Sequence, residues 1–172
     1  FISNQWSGLS KQVRRIEQTL LQEIAPDLVP LHRAGLAHML SANFYPPAQQ
    51  FALPAANDTR LSEHPDVSLF TVFPFGTDTD LQYQAADGRW RAFPRADNMV
   101  VFAGYLLEWL SNGVVPALKH RVALPQQEHA ERFSFAVFSL PRPGIQLSRL
   151  AHPESAIDAE EYFRRYLSLW DY

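Results

Sequence analysis

Residues 64–73 read HPDVSLFTVF, and this stretch decides the fold that we predict. It opens with His64-Pro65-Asp66 and continues as a run of apolar and β-branched residues, which predicts a buried strand over Val67–Phe75. Alternate side chains of an extended chain point to the same side. His64 and Asp66 therefore share a face and can reach one ion, while Pro65 points away.

A third candidate ligand, His120, lies in a later segment, Ala117–Ala123, that is also predicted to be a strand. Two imidazoles and one carboxylate on one face of a metal leave three coordination positions open, which is the arrangement that non-haem Fe(II) oxygenases use. We therefore predict that His64, Asp66 and His120 hold Fe(II).

Arg132 and Ser134 repeat this alternation where another strand, Phe133–Leu140, is predicted to begin. A planar guanidinium and a hydroxyl on one strand face form a binding site for a carboxylate. The alternative interpretation is a solvated strand face on which Arg132 pairs with Glu131 or Glu128.

From Asn43 onward, short segments rich in Val, Phe, Tyr and Thr are separated by Pro, Gly and Asp, which is the pattern of an antiparallel barrel or jelly roll. Asp87-Gly88 predicts a tight hairpin. Residues 58–63 and 141–144 are predicted to be loops that leave the barrel. The other predicted strands are Ser41–Tyr45, Leu81–Gln84, Trp90–Phe93 and Met99–Phe102.

The first forty residues are predicted to be helical. Apolar residues recur every three or four positions from Ser7 to Ile24, which indicates a helix with one buried stripe that ends at Pro26. Asp27 is expected to cap a second helix that runs to about Leu40. Both helices are expected to buttress a sheet.

A helix is also predicted at the other end of the chain. Asp158, followed three residues later by Glu161, resembles a capping box and predicts a helix through Trp170. Residues 104–110 are expected to form a short helical turn. The predicted organisation is N-terminal helices over 1–40, a β core over 41–150 and a C-terminal helix over 151–172.

The composition bounds the class of protein. The 172 residues are 47% hydrophobic and 13% aromatic, enough for one folded domain with a core. The net charge of −3 argues against nucleic-acid binding, and no apolar run approaches a membrane span. The absence of cysteine excludes disulfides and thiolate metal sites, and fits a cytoplasmic location. The composition leaves the oligomeric state open.

The order of these motifs resembles that of a known family, the iron- and 2-oxoglutarate-dependent oxygenases of the isopenicillin N synthase branch. The likeness covers roughly residues 43–140, and its motifs occur in the family's order. The resemblance implies a double-stranded β-helix (jelly-roll) core and an iron site at His64, Asp66 and His120. The segments that carry it are residues 43–47, 64–71, 110–113, 119–122 and 131–135.

The resemblance also implies an activity. Arg132 and Ser134 are expected to anchor the distal carboxylate of 2-oxoglutarate, with further hydrogen bonds from Asn43 and Tyr45. Oxidative decarboxylation of this cosubstrate by O2 is then expected to drive hydroxylation, desaturation or cyclisation of a small organic substrate. Members of the family carry a substantial region ahead of the segment that Asn43 begins, so we expect the chain to be incomplete at its N-terminus.

Two alternatives stay open. One is an oxidase like isopenicillin N synthase, in which no 2-oxoglutarate binds and Arg132 and Ser134 hold the carboxylate of the substrate. The other is a catalytically silent jelly-roll module that binds a small molecule. The sequence does not specify the substrate. The remaining histidines are interpreted as surface or capping residues: His32, His38, His129 and His152.

Overall fold

A computed structural model describes residues 2–47, 59–93, 97–124 and 131–169, with side chains from residue 5 onward. The helices are α1 (Ile2–Ile24), α2 (Val29–Gly35), α3 (Tyr105–Leu110) and α4 (Ala159–Leu167), with a 3-10 turn at Pro26–Leu28. The strands are β1 (Leu36–Tyr45), β2 (Thr59–His64), β3 (Phe70–Phe73), β4 (Leu81–Gln84), β5 (Trp90–Ala92), β6 (Val100–Ala103), β7 (His120–Ala123), β8 (Arg132–Pro141), β9 (Gln146–Arg149) and β10 (His152–Asp158).

Two four-stranded antiparallel sheets form the core. Their strand orders are β1-β8-β3-β6 and β2-β7-β4-β5, and β9 pairs with β10 in a separate ribbon. Phe73, Phe102 and Ala136 of the first sheet pack against Leu81 and Val122 of the second. This arrangement confirms the predicted mainly β fold, a double-stranded β-helix with flanking helices.

Helix α1 covers the outer face of the first sheet, as predicted. Its Val13 is fully buried against Val72 of β3 and Val137 of β8. The helix ends at Ile24, and the chain turns at Pro26. No helix in the described ranges is long and apolar enough to cross a membrane.

The predicted extension of the second helix to Leu40 is wrong. Helix α2 ends at Gly35, and Leu36 already has extended torsion angles, with φ −109° and ψ 151°. From Leu36 to Tyr45 the chain pairs without a break with Pro141 to Arg132 of β8. Ten residues of sheet pairing outweigh the local helical propensity of this segment, and Met39 in the new strand is half exposed.

Three strands are missing from the sequence prediction. The segment interpreted as a loop over 58–63 forms most of β2, which lies at a sheet edge, is mostly polar and has no buried residue, so it lacks the apolar alternation that signals a strand. Its pairing with β7 is also interrupted by register shifts. Strands β9 and β10 follow the proline-rich exit and were likewise not predicted.

Other local predictions are confirmed. Strand β4 has the predicted bounds, and Gly88, with a positive φ of 77°, closes the hairpin to β5. The side chain of Asp158 accepts a 2.8 Å hydrogen bond from the backbone of Glu161 at the start of α4. The predicted end of this helix at Trp170 lies outside the described residues.

Candidate metal centre

The structure brings His64, Asp66 and His120 together between the two sheets. His64 is the last residue of β2, Asp66 follows two residues later, and His120 is the first residue of β7, directly opposite His64 in the ladder. Their ligating atoms all lie within 4.8 Å of one another. Asp66 and His120 are buried, with 8% and 4% of their surface exposed.

Both imidazoles are oriented for a cation. Nδ1 of His64 donates to the carbonyl of Ser62 at 2.7 Å, and Nδ1 of His120 donates to the carbonyl of Leu118 at 3.2 Å. A carbonyl oxygen only accepts, so each ring keeps its proton on Nδ1 and presents the lone pair of Nε2. This is the tautomer that a metal ligand requires.

The distances also fit an ion between the three side chains. Nε2 of His64 lies 3.6 Å from Oδ1 of Asp66, and Nε2 of His120 lies 3.6 Å from Oδ2. These separations exceed good hydrogen-bond lengths, but two atoms bound to one ion at about 2.1 Å are roughly 3–3.4 Å apart. The donor set of two nitrogens and one oxygen suits Fe(II).

The electrostatics of Asp66 and His120 agree with a metal site. Burial raises the pKa of Asp66, but the two histidines and Thr71 lower it more, so its pKa lies below the usual value and the group is anionic. Burial, reinforced by His64, holds the pKa of His120 below the usual range despite Asp66. For His64, burial is outweighed by Asp66 and the Ser62 carbonyl, and its pKa is raised. Asp66 and His120, the two buried residues, thus have the protonation states of metal ligands.

The backbone that carries Asp66 is held from outside the cavity. Its carbonyl accepts a 2.6 Å hydrogen bond from the amide of Tyr105 at the start of α3. On α4, the hydroxyl of Tyr166 donates to the Pro65 carbonyl and that of Tyr162 to the Val67 carbonyl, each at 2.7 Å. The sequence analysis missed both tyrosines as support for the site, because their contacts cross about a hundred residues of chain.

The three side chains line an open cavity of about 420 Å³ whose walls come from both sheets. The predicted carboxylate clamp lines the same cavity: Arg132 and Ser134 face inward and are 4% and 9% exposed. Phe133 lies between these two residues and Phe135 follows them, and both phenylalanine side chains point outward. The strand therefore has the alternation that the sequence predicted.

Arg132 has an ion-pair partner that the sequence did not reveal. Its Nε donates to both oxygens of Asp78, at 3.1 and 2.8 Å. Oδ1 of Asp78 also accepts from the amide of Asp80 at 3.1 Å. The partners considered from sequence were Glu131 and Glu128, of which Glu128 lies outside the described residues. Asp78 is 54 positions away from Arg132, and no local spacing links the two.

Asn43 and Tyr45 also line the cavity. The β1–β8 register places Asn43 opposite Ser134 and Tyr45 opposite Arg132. The ring of Tyr45 stacks on the guanidinium, whose carbon lies 5.0 Å from the ring centroid, and Oδ1 of Asn43 accepts from Ser41 at 3.1 Å. The four residues predicted to bind a cosubstrate therefore form one wall of the cavity.

Aromatic side chains surround the metal centre. Phe73 and Phe138 line the cavity, whereas Phe102 lies behind His120 with its ring centroid 5.0 Å from the imidazole. Their packing limits the access of water to the ligand side of His120.

A second cluster of titratable groups lies away from the cavity, and the interpretation of His32 and His38 as surface or capping residues is wrong. Nε2 of each donates to Oε2 of Glu17, at 2.7 and 2.8 Å, and Ser139 donates to Oε1. These are hydrogen-bond lengths, unlike the 3.6 Å separations at the first centre. Burial raises the pKa of Glu17, but the bonds from His32, His38 and Ser139 lower it below the usual value.

This cluster left one signal in the sequence. Glu17 is a charged residue on the buried stripe of α1, four positions after Val13 and four before Leu21, and all three are fully buried. A charge there requires partners from other elements. His152 is exposed and lies 3.4 Å from Glu154, as expected of a surface residue, and His129 is outside the described residues.

The fold and the cavity together define a jelly-roll protein with a two-histidine, one-carboxylate centre. Residues 36–141 match the model of the 2OG-Fe(II) oxygenase superfamily. The chain belongs to this superfamily.

Curated relatives agree with this assignment. Isopenicillin N synthase of Streptomyces microflavus is 34% identical over 125 residues, which are 70% of this chain and 36% of the relative. The 2-oxoglutarate-dependent dioxygenase AOP3 of Arabidopsis thaliana is 32% identical over 85 residues, 49% of this chain and 20% of the relative. The chain thus spans about a third or less of the curated relatives' length.

A solved structure agrees as well. The crystal structure of JOX2 in complex with 2OG, Fe and JA superposes with a TM-score of 0.75 at 22% identity. The superposition covers 96% of this chain and 51% of that chain. At this identity the likeness confirms the fold.

Proposed function

We propose that this chain is the catalytic core of an Fe(II)- and 2-oxoglutarate-dependent dioxygenase that acts on a small organic substrate. One observation carries the proposal: the His64, Asp66 and His120 centre and the Arg132 and Ser134 pair line the same cavity. A metal centre and a carboxylate clamp facing one space suit a ligand that chelates the metal at one end and carries a carboxylate at the other.

His64, Asp66 and His120 would hold the Fe(II). When bound, iron and 2-oxoglutarate supply the O2 activation and oxidative decarboxylation that are coupled to hydroxylation, desaturation or cyclisation of the substrate. Three protein ligands on one side of an ion leave the positions on the other side for cosubstrate and O2. The protein contributes binding, orientation and exclusion of water.

Arg132 and Ser134 would bind the distal carboxylate of 2-oxoglutarate. Within the described part of the chain, Asp78 engages Arg132 through Nε alone, so the terminal nitrogens of the guanidinium are available for a second carboxylate. The Tyr45 ring fixes the plane of this guanidinium from one face. Asn43 and Tyr45, on the neighbouring strand, would add hydrogen bonds to this distal carboxylate.

The likeness to isopenicillin N synthase favours a second candidate, an oxidase without 2-oxoglutarate. In that case Arg132 and Ser134 would hold the carboxylate of the substrate itself. The location proposed for either enzyme is the cytoplasm, and its partners are a small molecule and O2.

One experiment separates the two candidates. Anaerobic protein loaded with Fe(II) is titrated with 2-oxoglutarate, and the metal-to-ligand charge-transfer band is followed in the visible spectrum. The proposed dioxygenase develops the band, and with a substrate found by screening it releases succinate in step with product. A protein that binds Fe(II) but shows no band at saturating 2-oxoglutarate is not a 2-oxoglutarate enzyme.

A further inference from the structure

We propose that Thr71 and Ser68 are positioning residues that hold the Asp66 carboxylate so that it offers Oδ1, and not Oδ2, to the metal. The proposal rests on the metal centre of the proposed function and deepens it. It follows from a chain of buried hydroxyl groups behind Asp66.

The donor and the acceptor of each hydrogen bond in this hydroxyl chain can be assigned. Oγ1 of Thr71 lies 2.6 Å from Oδ2 of Asp66, and the hydroxyl donates its one proton to this carboxylate oxygen. Oγ of Ser68 lies 2.8 Å from Oγ1 of Thr71. Because the proton of Thr71 is already used, Ser68 is the donor in this second bond. Protons thus point from Ser68 through Thr71 to Asp66, and each bond polarises the next.

The two carboxylate oxygens of Asp66 are therefore not equivalent. Oδ1 faces Nε2 of His64 and Oδ2 faces Nε2 of His120, each at 3.6 Å, beyond a good hydrogen-bond length, but Oδ2 also accepts the 2.6 Å hydrogen bond from Thr71. Ser68 and Thr71 are both fully buried, so water does not compete for Oδ2 from their side. A carboxylate oxygen that already accepts a short hydrogen bond from a hydroxyl gains less from binding a metal than its neighbouring oxygen does.

Hydrogen bonds hold the backbone of residues 65–69, which carries Asp66 and Ser68. Five consecutive carbonyls, those of residues 65–69, each accept a hydrogen bond from α3, α4 or the turn at Gly104. With the backbone held in this way, rotation of the Asp66 side chain is the freedom that remains. The bond from Thr71 removes it, so the carboxylate is oriented before any metal binds.

The structure supplies a matched control. Oγ1 of Thr77 is buried and makes no hydrogen bond among the described residues. Thr77→Val and Thr71→Val remove the same atom and keep nearly the same shape. Only the second variant removes a bond to Asp66.

The test is the affinity of the 172-residue chain for Mn(II), measured anaerobically by isothermal titration. Thr71→Val is expected to weaken Mn(II) binding about 10- to 100-fold, as loss of a residue that supports a ligand does. Ser68→Ala should weaken it about two- to tenfold, through loss of one neutral hydrogen bond. Thr71→Ser, which restores the hydroxyl, and Thr77→Val should bind as wild type.

The visible spectrum of the Co(II)-loaded protein reports the coordination of Asp66 directly. Thr71→Val is expected to change it, because the released carboxylate can bind through both oxygens, and Thr71→Ser to restore it. Equal Mn(II) affinity and equal spectra for wild type and Thr71→Val would overturn the proposal and leave the metal site standing. If Thr71→Val does not fold, an unchanged affinity in Ser68→Ala overturns it. A wild-type chain that binds no Mn(II) overturns the metal site itself.

Discussion

His64 and His120 lie directly opposite each other in the ladder between β2 and β7, with their ring centroids 4.5 Å apart. Two rings this close, each with its Nδ1 bound to a backbone carbonyl, present both Nε2 atoms toward Asp66. Sheet pairing therefore forms the histidine part of the centre, and the turn after β2 adds the carboxylate.

His64→Ala, Asp66→Ala and His120→Ala are each expected to weaken Mn(II) or Fe(II) binding by more than about 100-fold, because removal of a mere supporting residue already costs about 10- to 100-fold. Anaerobic isothermal titration measures the effect. His152→Ala, at an exposed histidine, is the control and should bind as wild type. If two of the three ligand variants bind as tightly as wild type, the triad is wrongly assigned.

Arg132→Ala is expected to weaken the binding of 2-oxoglutarate by about 2–3 kcal/mol, roughly 30- to 150-fold in affinity, because a charge-assisted bidentate contact is lost. Ser134→Ala should act in the same direction by about 1 kcal/mol. Titration of the charge-transfer band gives both values, and Fe(II) affinity should stay unchanged.

Arg91→Ala, at an exposed arginine paired with Asp87, is the matched control for that titration. The oxidase alternative predicts another pattern, in which the loss appears in the affinity for the primary substrate and 2-oxoglutarate has no effect on any variant.

Glu17→Gln is expected to lower the free energy of unfolding at pH 7 by about 3 kcal/mol or more, because a buried carboxylate that accepts three hydrogen bonds is replaced. Urea unfolding measures it. Glu23→Gln, at an exposed position of the same helix, should change stability by less than about 0.5 kcal/mol.

The effect of Glu17→Gln on stability should depend on pH. The pKa of Glu17 is lowered in the folded state, so its contribution to stability is fully present above the ordinary value of 4.5 and is lost as the pH falls below it. The difference in stability between wild type and Glu17→Gln should therefore shrink below about pH 4.5. A difference that stays constant down to about pH 3 would contradict an ionised Glu17.

Gly104→Ala is expected to lower stability by about 1–3 kcal/mol or more, since a Cβ there would lie 2.2 Å from the Ser68 carbonyl oxygen. Gly104→Ala should also weaken Mn(II) binding, because Ser68, which supports Asp66 through Thr71, must shift. Gly8→Ala is the opposite case: among the described residues, no atom outside the adjoining helix backbone lies within 4 Å of a Cβ built there, and alanine in a helix should raise stability by about 0.5–1 kcal/mol. Urea unfolding of both variants checks the contrast.

The sequence by itself determined the class of fold and the identity of the candidate ligands. Alternation along strands, a property of the local chain, and the order of motifs, read through the resemblance to a known family, together predicted five residues: His64, Asp66, His120, Arg132 and Ser134. Hairpin and capping residues such as Gly88 and Asp158 were predictable for the same reason, since the conformation each one stabilises involves only near neighbours.

Only the tertiary structure decided the contacts that cross the chain. Pairing with β8 turned residues 36–40 from the expected helix end into a strand continuous with the predicted strand over 41–45, because ten residues of ladder outweigh local propensity. The pairing of Asp78 with Arg132, the support of the ligand turn by Tyr162 and Tyr166, and the burial of His32 and His38 around Glu17 depend on which elements pack together. No spacing along the sequence encodes such neighbours, because the chain's path in three dimensions brings them within hydrogen-bond distance.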